Sequence, residues 1–490
     1  MTASLPAGAA GTDGTGGAPS LRLAVGGDRL ATLTFDAPDR KVNVFSRGVF
    51  EELERTIDEV ARRDDVGCLV LLSGKDGSFI AGADVEEIAR VTDPQEAEAG
   101  SRLGHRIFAA WEALPFPTVA AIRGTCLGGG TEIALASTFR LVSNRKEVRL
   151  GLPEVRLGIL PGWGGSTRLP RTIGIAEALD LILTGKTVSA RRAWKLGLAD
   201  ALLPDARFLD EVRSFALAHL DRREGAEPAR PDFKELLLER NPLGRKILFD
   251  QARKKTLEQT RGQYPAPLRA IEVVRLGIED GPRAGFDAEA RAVAELATSR
   301  IAKNLLHVFG LTESAKKEKG MPGGEARPVA SVAVLGAGVM GGGIAQLIAA
   351  EAGIPVRLKD VEEKALASGM AHAAQVFDRA ARRHRIERTE VKRRMALLLP
   401  TLSFAGFERT DLVIEAIVEK LAVKQQVFAE IATHLPETAV LASNTSSLSI
   451  GAIGSRTPRR GRVVGMHFFN PVHRMPLVEV IAPEGADPSA

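Results

Sequence analysis

Only two cysteines, Cys68 and Cys126, occur in 490 residues, so neither a disulfide framework nor a cysteine-built zinc site is available. That scarcity is compatible with a reducing compartment. No run of 18 apolar residues is present, so no transmembrane helix is expected. The opening MTASLPAGAAGTDGTGGAPS lacks a basic n-region, an apolar h-region and the arginines of a transit peptide. Residues 1–20 read as a disordered leader, and the cytoplasm is the expected location. The densest basic run, ARRHRIERTEVKRRM at 381–395, contains no aromatic residue. It reads as a solvated helix face, so no nucleic-acid partner is expected. No short tandem repeat is found.

What is present describes a globular chain of two or three domains: 490 residues exceed one ordinary core. The formal charge of +5 suits a phosphorylated small substrate. Up to residue 205 strand and helix patterns alternate. LATLTFD (30–36), VGCLVLLSG and PTVAAIRG read as strands. SRGVFEELERTIDEV reads as a helix capped by Ser46, with Val49, Phe50, Leu53, Ile57 and Val60 on one face. Residues 206–328 lose the strands: DFKELLLER, APLRAIEVVRLGIED and EARAVAELA read as helices of a connector, and KKEKGMPGGEARP (316–328) as a linker. From 329 the α/β alternation resumes.

Three stretches in the first region carry chemistry. They are SFIAGADVEEI (78–88), RGTCLGGGTEIALAS (123–137) and GLPEVRLGILPGWGGSTRLPR (151–171). Gly128 to Gly130 precede a helical run, where glycine lets backbone approach a ligand and free N–H groups face developing negative charge. Glu132 falls in that helix's first turn, and Glu154 precedes another Gly-rich loop. Two glutamates beside free donors suit acid/base chemistry on a carbonyl compound. Singly, each feature reads as turn chemistry or dipole compensation.

Together, in this order and spacing, these stretches resemble the enoyl-CoA hydratase (crotonase) family over residues 21–205. The resemblance implies a spiral of β-β-α units that binds an acyl-CoA thioester. Its oxygen would lie between the N–H groups of Ala83 and Gly129. Glu132 and Glu154 would be the catalytic pair, with Gly162 close to the attacking water. Which glutamate is acid and which is base stays open. Family members that only shift a double bond commonly keep a glutamate at the Glu154-like position alone, so the pair favours hydration, with isomerisation as an alternative. Trp163 departs from the small residue usual after that PG, either narrowing the acyl pocket or packing.

In the last region SVAVLGAGVMGGGIA places Gly336, Gly338 and Gly341 in a G-x-G-x-x-G between an apolar strand and a helix. A second strand, IPVRLKD, ends in Asp360, an acid placed to accept adenosine ribose hydroxyls and to prefer NAD over NADP. With DLVIEAIVEKLAVKQQVFAEI, LASNTSSLSIG and GMHFFNPVHRMPLVEVI, this turn resembles 3-hydroxyacyl-CoA dehydrogenases. The resemblance implies His467 as the base toward a 3-hydroxyl, Glu479 as its orienting partner, and Ser446 as a hydrogen-bond partner of the substrate oxygen. Glu419, Lys424 and Asn444 match positions beside the nicotinamide end of NAD.

The expected fold is therefore α/β: a crotonase-like ββα spiral (21–205), a helical connector (206–328), and a Rossmann NAD-binding domain (329–490). This is the layout of the multifunctional enzymes of fatty-acid β-oxidation. It implies acyl-CoA substrates, a thiolase subunit as partner and a possible homo-oligomer. Chains of that family continue for over two hundred residues beyond HFFNP, into helical domains. This sequence accordingly reads as a shortened version of such an enzyme. The alternatives are a second polypeptide completing the dehydrogenase, or an NAD module without catalysis joined to a working hydratase.

Overall fold

Strand β2 (Leu30–Phe35) shows how the first unit is built. Its alternate residues Ala31, Leu33 and Phe35 enter one apolar core, while Leu30 enters another on the opposite face. The same period-two division runs through β3 (Cys68–Ser73), where Leu69 and Leu71 face one side and Cys68 and Val70 the other. A strand covered on both faces is largely apolar, which is why β3 reads as a nearly continuous hydrophobic run, while β2 also buries Thr32. The computed structural model describes residues 5, 18–38, 40–222, 239–317, 327–383 and 386–490. Most of the expected leader, the DFKELLLER helix and the middle of the expected linker lie outside the described residues.

The chain forms two compact units, Met1–Lys317 and Glu318–Ala490. In the first, β1 (Leu21–Val25) pairs antiparallel with β2, with Leu21 opposite Phe35. Helix α1 (Arg47–Ala61) begins at Ser46, whose side chain accepts the Val49 N–H. It buries the five apolar residues named from its periodicity. After it the chain repeats a two-strand unit. The pairs are β3 with β4 (Ser78–Ile80), β5 (Thr118–Ile122) with β6 (Thr125–Leu127), and β7 (Phe139–Ser143) with β8 (Arg149–Gly151). The first strand of each pair joins the sheet β1-β2-β3-β5-β7-β10; the second joins β4-β6-β8-β9. Strands β9 (Val188–Ser189) and β10 (Ala201–Leu203) complete these sheets. Between the pairs lie α2 (Val85–Arg90), α3 (Pro94–Glu112) and α4 (Gly129–Ala136), and α5 (Gly165–Ile173) follows β8. This is the expected ββα spiral.

The expected division at residue 205 does not separate compact units. Helices Pro265–Glu279 and Pro282–Ala297 put Ala270, Ile271, Val274, Ala292 and Leu296 into the same core as β2, β3 and α1. Their apolar faces find cover there, and a buried Ile or Leu side chain is worth about 1.5–3 kcal/mol.

The second unit is a doubly wound sheet. Its strands are β11 (Val332–Leu335), β12 (Val356–Lys359), β13 (Leu398–Thr401), β14 (Leu412–Glu415), β15 (Val440–Ser443), β16 (Val463–Phe468) and β17 (Val478–Ile481). They run in the order β13-β12-β11-β14-β15-β16-β17, parallel except for β17. Val332 and Val334 of β11 enter one core, Ala333 and Leu335 the other. The strand order reverses between β11 and β14, which is where such sheets bind ligands, beyond the carboxyl ends of their strands.

Candidate active sites

In the first unit the two Gly-containing turns are brought against each other. Phe45 N–H donates to the Gly82 carbonyl and Asp84 N–H to the Phe45 carbonyl, each at 2.9 Å. Alternation along this extended segment turns the Ala83 N–H to the opposite side. Gly82, at φ +106°, lies so close to α4 that a Cβ on it would sit 3.8 Å from the Gly129 nitrogen. Gly129 opens α4, so its N–H is among those with no partner inside the helix. Gly128, at φ +52°, completes the turn, and a Cβ there would meet Glu154 Oε1 at 2.9 Å.

Ala83, Gly129, Glu132, Glu154 and Gly162 all line one cavity of about 700 Å³. The five residues expected from the sequence thus meet at one place. Glu132 Oε1 accepts the N–H groups of Trp163 at 2.7 Å and Gly165 at 2.8 Å. Glu154 Oε2 is buried and has no hydrogen-bond partner among the described residues. Burial raises the Glu132 carboxyl well above its usual value, with Glu154 and Glu289 adding repulsion against the two N–H donors. Burial likewise pushes Glu154 up to about 8, with Glu289 again adding to it. Such a pair holds a proton near neutrality, as acid/base work on a carbonyl compound requires.

Trp163 lines the cavity as well as packing. Its indole meets Phe50 edge-on at 4.6 Å, Phe45 at 5.9 Å and Phe108 at 6.0 Å. It fits because Gly104 and Gly129 lack a Cβ: one at either position would fall 2.1 or 2.3 Å from the ring. Ser101 Oγ donates to the Gly162 carbonyl at 2.5 Å, holding the loop that carries it. Both cysteines are buried, and burial pushes each thiol up to about 12, so neither is a nucleophile.

The sequence reading missed the contribution of the connector. Val293 and Ala297 of helix Pro282–Ala297 line the cavity. Glu289 of that helix, fully buried, accepts the N–H groups of Gly164 at 2.5 Å and Ser166 at 3.1 Å. A charged residue inside an otherwise apolar helical face, GFDAEARAVAELA, was its signal.

In the second unit the glycine turn follows β11. A Cβ on Gly336 (φ +91°) would meet the Ala416 carbonyl at 2.6 Å, and one on Gly341 the Gly336 carbonyl at 1.8 Å. Around Gly338, by contrast, the space is open to 4 Å. Two glycines thus serve close packing and the third leaves room for a pyrophosphate at the N-terminus of helix Val339–Glu351. Asp360, past the end of β12, accepts the Ala337 N–H at 2.7 Å, which ties it to the same turn. These residues fit a dinucleotide.

The remaining candidates lie beyond the ends of β14 and β15 and on β16 and β17. Lys424, 1% exposed, donates to Glu415 Oε1 at 2.6 Å and to Glu419 Oε2 at 3.1 Å. The hydrogen bonds of Thr445 and Lys424 hold Glu419 below its usual value although burial opposes them. Asn444 Oδ1 accepts the Phe468 N–H at 2.8 Å, joining the loop after β15 to β16. Ser446 is exposed on that loop. His467 Nδ1 lies 2.7 Å from Glu479 Oε2. Glu415 and Ser443, bonded to each other at 2.6 Å beneath this group, were not anticipated.

Comparison with known proteins finds a family match over each of these two regions. Residues 27–226 match the family described as "Enoyl-CoA hydratase/isomerase", and residues 331–490 match "3-hydroxyacyl-CoA dehydrogenase, NAD binding domain". The fatty acid oxidation complex subunit alpha of Shewanella amazonensis is 41% identical over 94% of this chain and 65% of its own length. The subunit alpha of Shewanella sp. strain MR-4 is 41% identical over 93% of this chain and 64% of its own. The chain thus spans just under two thirds of the length of these relatives. A solved structure of 3-hydroxybutyryl-CoA dehydrogenase from Escherichia coli K12 is 36% identical over 33% of this chain and 34% of that one, with a TM-score of 0.32.

Proposed function

Because the chain carries an enoyl-CoA hydratase/isomerase domain and the NAD-binding domain of a 3-hydroxyacyl-CoA dehydrogenase, we propose that it acts in fatty-acid β-oxidation. Its first unit hydrates 2-enoyl-CoA to 3-hydroxyacyl-CoA. The observation that carries this reading is that Glu132, 1% exposed, and the half-buried Glu154, whose Oε2 is buried, line one cavity together with Ala83 and Gly129.

The thioester oxygen sits between those two N–H groups, which stabilise the enolate-like charge that builds as water adds. A preorganised donor of this kind is worth about 3–4 kcal/mol. Burial raises both carboxyls, but Glu132 Oε1 accepts two N–H groups whereas Glu154 Oε2 has no hydrogen-bond partner among the described residues. On that difference in bonding we assign the shared proton to Glu154. Glu132 then takes a proton from water as its oxygen bonds to C3, and Glu154 delivers its proton to C2. The pair has gained one proton from water and given one to carbon, so the charge balances.

The second unit oxidises the 3-hydroxyl. NAD, when bound, supplies the hydride acceptor; the turn at Gly336, Gly338 and Gly341 and Asp360 would hold it, with Glu419, Lys424 and Asn444 toward its nicotinamide end. His467 takes the hydroxyl proton at the nitrogen that Glu479 does not use, and Ser446 hydrogen-bonds the substrate oxygen. Glu479 holds the imidazole in the tautomer that leaves that nitrogen free.

A thiolase subunit as partner, a homo-oligomeric state and a cytoplasmic location complete the reading. No helix among the described residues is long and apolar enough to cross a membrane. The test is a paired assay on the 490-residue chain: loss of the conjugated double bond of a 2-enoyl-CoA, then NADH formation after NAD is added. Hydration followed by NADH supports both halves. Hydration alone removes the dehydrogenase half, and double-bond migration without hydration replaces the first half by isomerisation. Gel filtration with and without a thiolase tests the partner.

A further inference from the structure

Four consecutive N–H groups, those of residues 163–166, lead into α5, and two buried carboxylates share them in alternation. Trp163 and Gly165 donate to Glu132 Oε1; Gly164 donates to Glu289 Oε1 and Ser166 to Glu289 Oε2. Glu132 comes from α4, whereas Glu289 comes from helix Pro282–Ala297. His105 of α3 is a third partner of Glu289, with Nε2 2.8 Å from Oε1. The Phe286 ring packs on both the His105 ring and the Arg168 guanidinium, at 5.0 Å from each.

We propose that Glu289 is a positioning residue of the hydration site: from the connector helix it fixes the loop that orients Glu132 and keeps a further negative charge beside the Glu132–Glu154 pair. This rests on the hydratase reading above.

Capping α5 does not by itself call for a charge. Ser, Thr or Asn satisfies helix N–H groups without one, and a buried ionised group costs several kcal/mol unless well bonded. Glu289 meets that condition through three donors, and its charge reaches the site, opposing ionisation of Glu132 and of Glu154. The loop it grips carries Gly162 and Trp163 into the cavity. Because neighbouring N–H groups are held by carboxylates on two different helices, a shift of the loop that keeps the bonds to one strains the bonds to the other.

The charged groups around Glu289 come from every packed element. His105 faces it from α3, Glu132 from α4 and Glu154 from the turn after β8. Arg168 of α5 is tied to the Trp163 carbonyl and to Glu112, and Arg171 of α5 donates to the Gly277 carbonyl. On helix Pro265–Glu279, Arg269 is paired with Glu272 and Glu295.

The test compares the full chain with Glu289→Gln, Glu289→Asp and His105→Phe. One readout is the pH dependence of kcat/KM for hydration; the other is a ¹³C titration of the buried glutamate carboxyls, which needs no activity. With Glu289→Gln the alkaline limb and the carboxyl midpoints should move to lower pH by about one unit, as expected for removing one charge at this range. Glu289→Asp, which keeps the charge, should return the limb toward wild type even at reduced kcat. His105→Phe, which keeps the ring packing but removes one of the three partners of Glu289, should give a smaller shift in the same direction. Wild-type limbs and midpoints in folded Glu289→Gln overturn the proposal, as they do in His105→Phe if Glu289→Gln does not fold. A wild-type chain that hydrates nothing would instead remove the hydratase reading, and the carboxyl titration would still decide the role of Glu289.

Discussion

His467 and Glu479 stand directly opposite one another on antiparallel β16 and β17, with Nδ1 and Oε2 2.7 Å apart. A cross-strand pair of this kind needs no long-range accident: the register of one hairpin places both residues on the same face. Replacing Glu479 by Gln keeps the size and loses the charge that selects the tautomer. Oxidation of a 3-hydroxyacyl-CoA, followed as NADH, should fall about 10²–10⁴-fold in kcat with KM little changed. A loss confined to KM would place Glu479 in binding instead.

Glu154→Gln should reduce hydration at least about 10²-fold. It should also change how stability depends on pH. The fold holds the Glu154 proton up to about 8 against an ordinary value of 4.5. Its contribution to stability is therefore fully present below pH 4.5 and is lost as pH rises through about 8. The Tm of Glu154→Gln relative to wild type should accordingly rise between pH 5 and pH 9. A Tm difference that is flat across this range would mean the carboxyl is not held neutral.

Trp163→Ala should extend the acyl preference. The indole occupies part of the cavity wall, and each added methylene that finds apolar cover is worth about 0.8 kcal/mol. Two further methylenes should then gain about tenfold in kcat/KM relative to a short enoyl-CoA. The variant should also lose up to about 3 kcal/mol of stability from the broken aromatic cluster. Loss of stability with an unchanged chain-length ratio would assign Trp163 to packing alone.

Lys303 joins helix Arg300–Ala315 to the end of α2, donating to the carbonyls of Ile88 at 3.1 Å, Ala89 at 2.9 Å and Val91. Val85, Ile88 and Val91 line the cavity. Lys303→Met leaves these carbonyls without their charged donor, at a cost of about 1.5–3 kcal/mol. Amide exchange over residues 85–92 should quicken and the KM for enoyl-CoA should rise. Unaltered exchange there would show that α2 is held by its other contacts.

Much of this architecture is legible along the chain, because it depends on short-range rules. The apolar periodicity of α1, the Ser46 cap, the buried runs of β3 and β5 and the glycine turn between β11 and its helix each express local stereochemistry or a face turned to a core. The resemblance of three short stretches was enough to name Ala83, Gly129, Glu132, Glu154 and Gly162, which the fold brings to one cavity. The three-residue strands β4, β6 and β8 were not legible, since they are too short for a period to show. What only the tertiary structure decided is where the connector goes. Nothing in PRAGFDAEARAVAELA says that Glu289, rather than Glu295, will meet the N–H groups of residues 164 and 166, more than a hundred positions earlier. The sequence could mark Glu132 and Glu154 as a pair, but their raised proton affinity comes from burial beneath distant elements and from a third carboxylate. Local pattern determines which elements form; desolvation and charge depend on what the folded chain places around them.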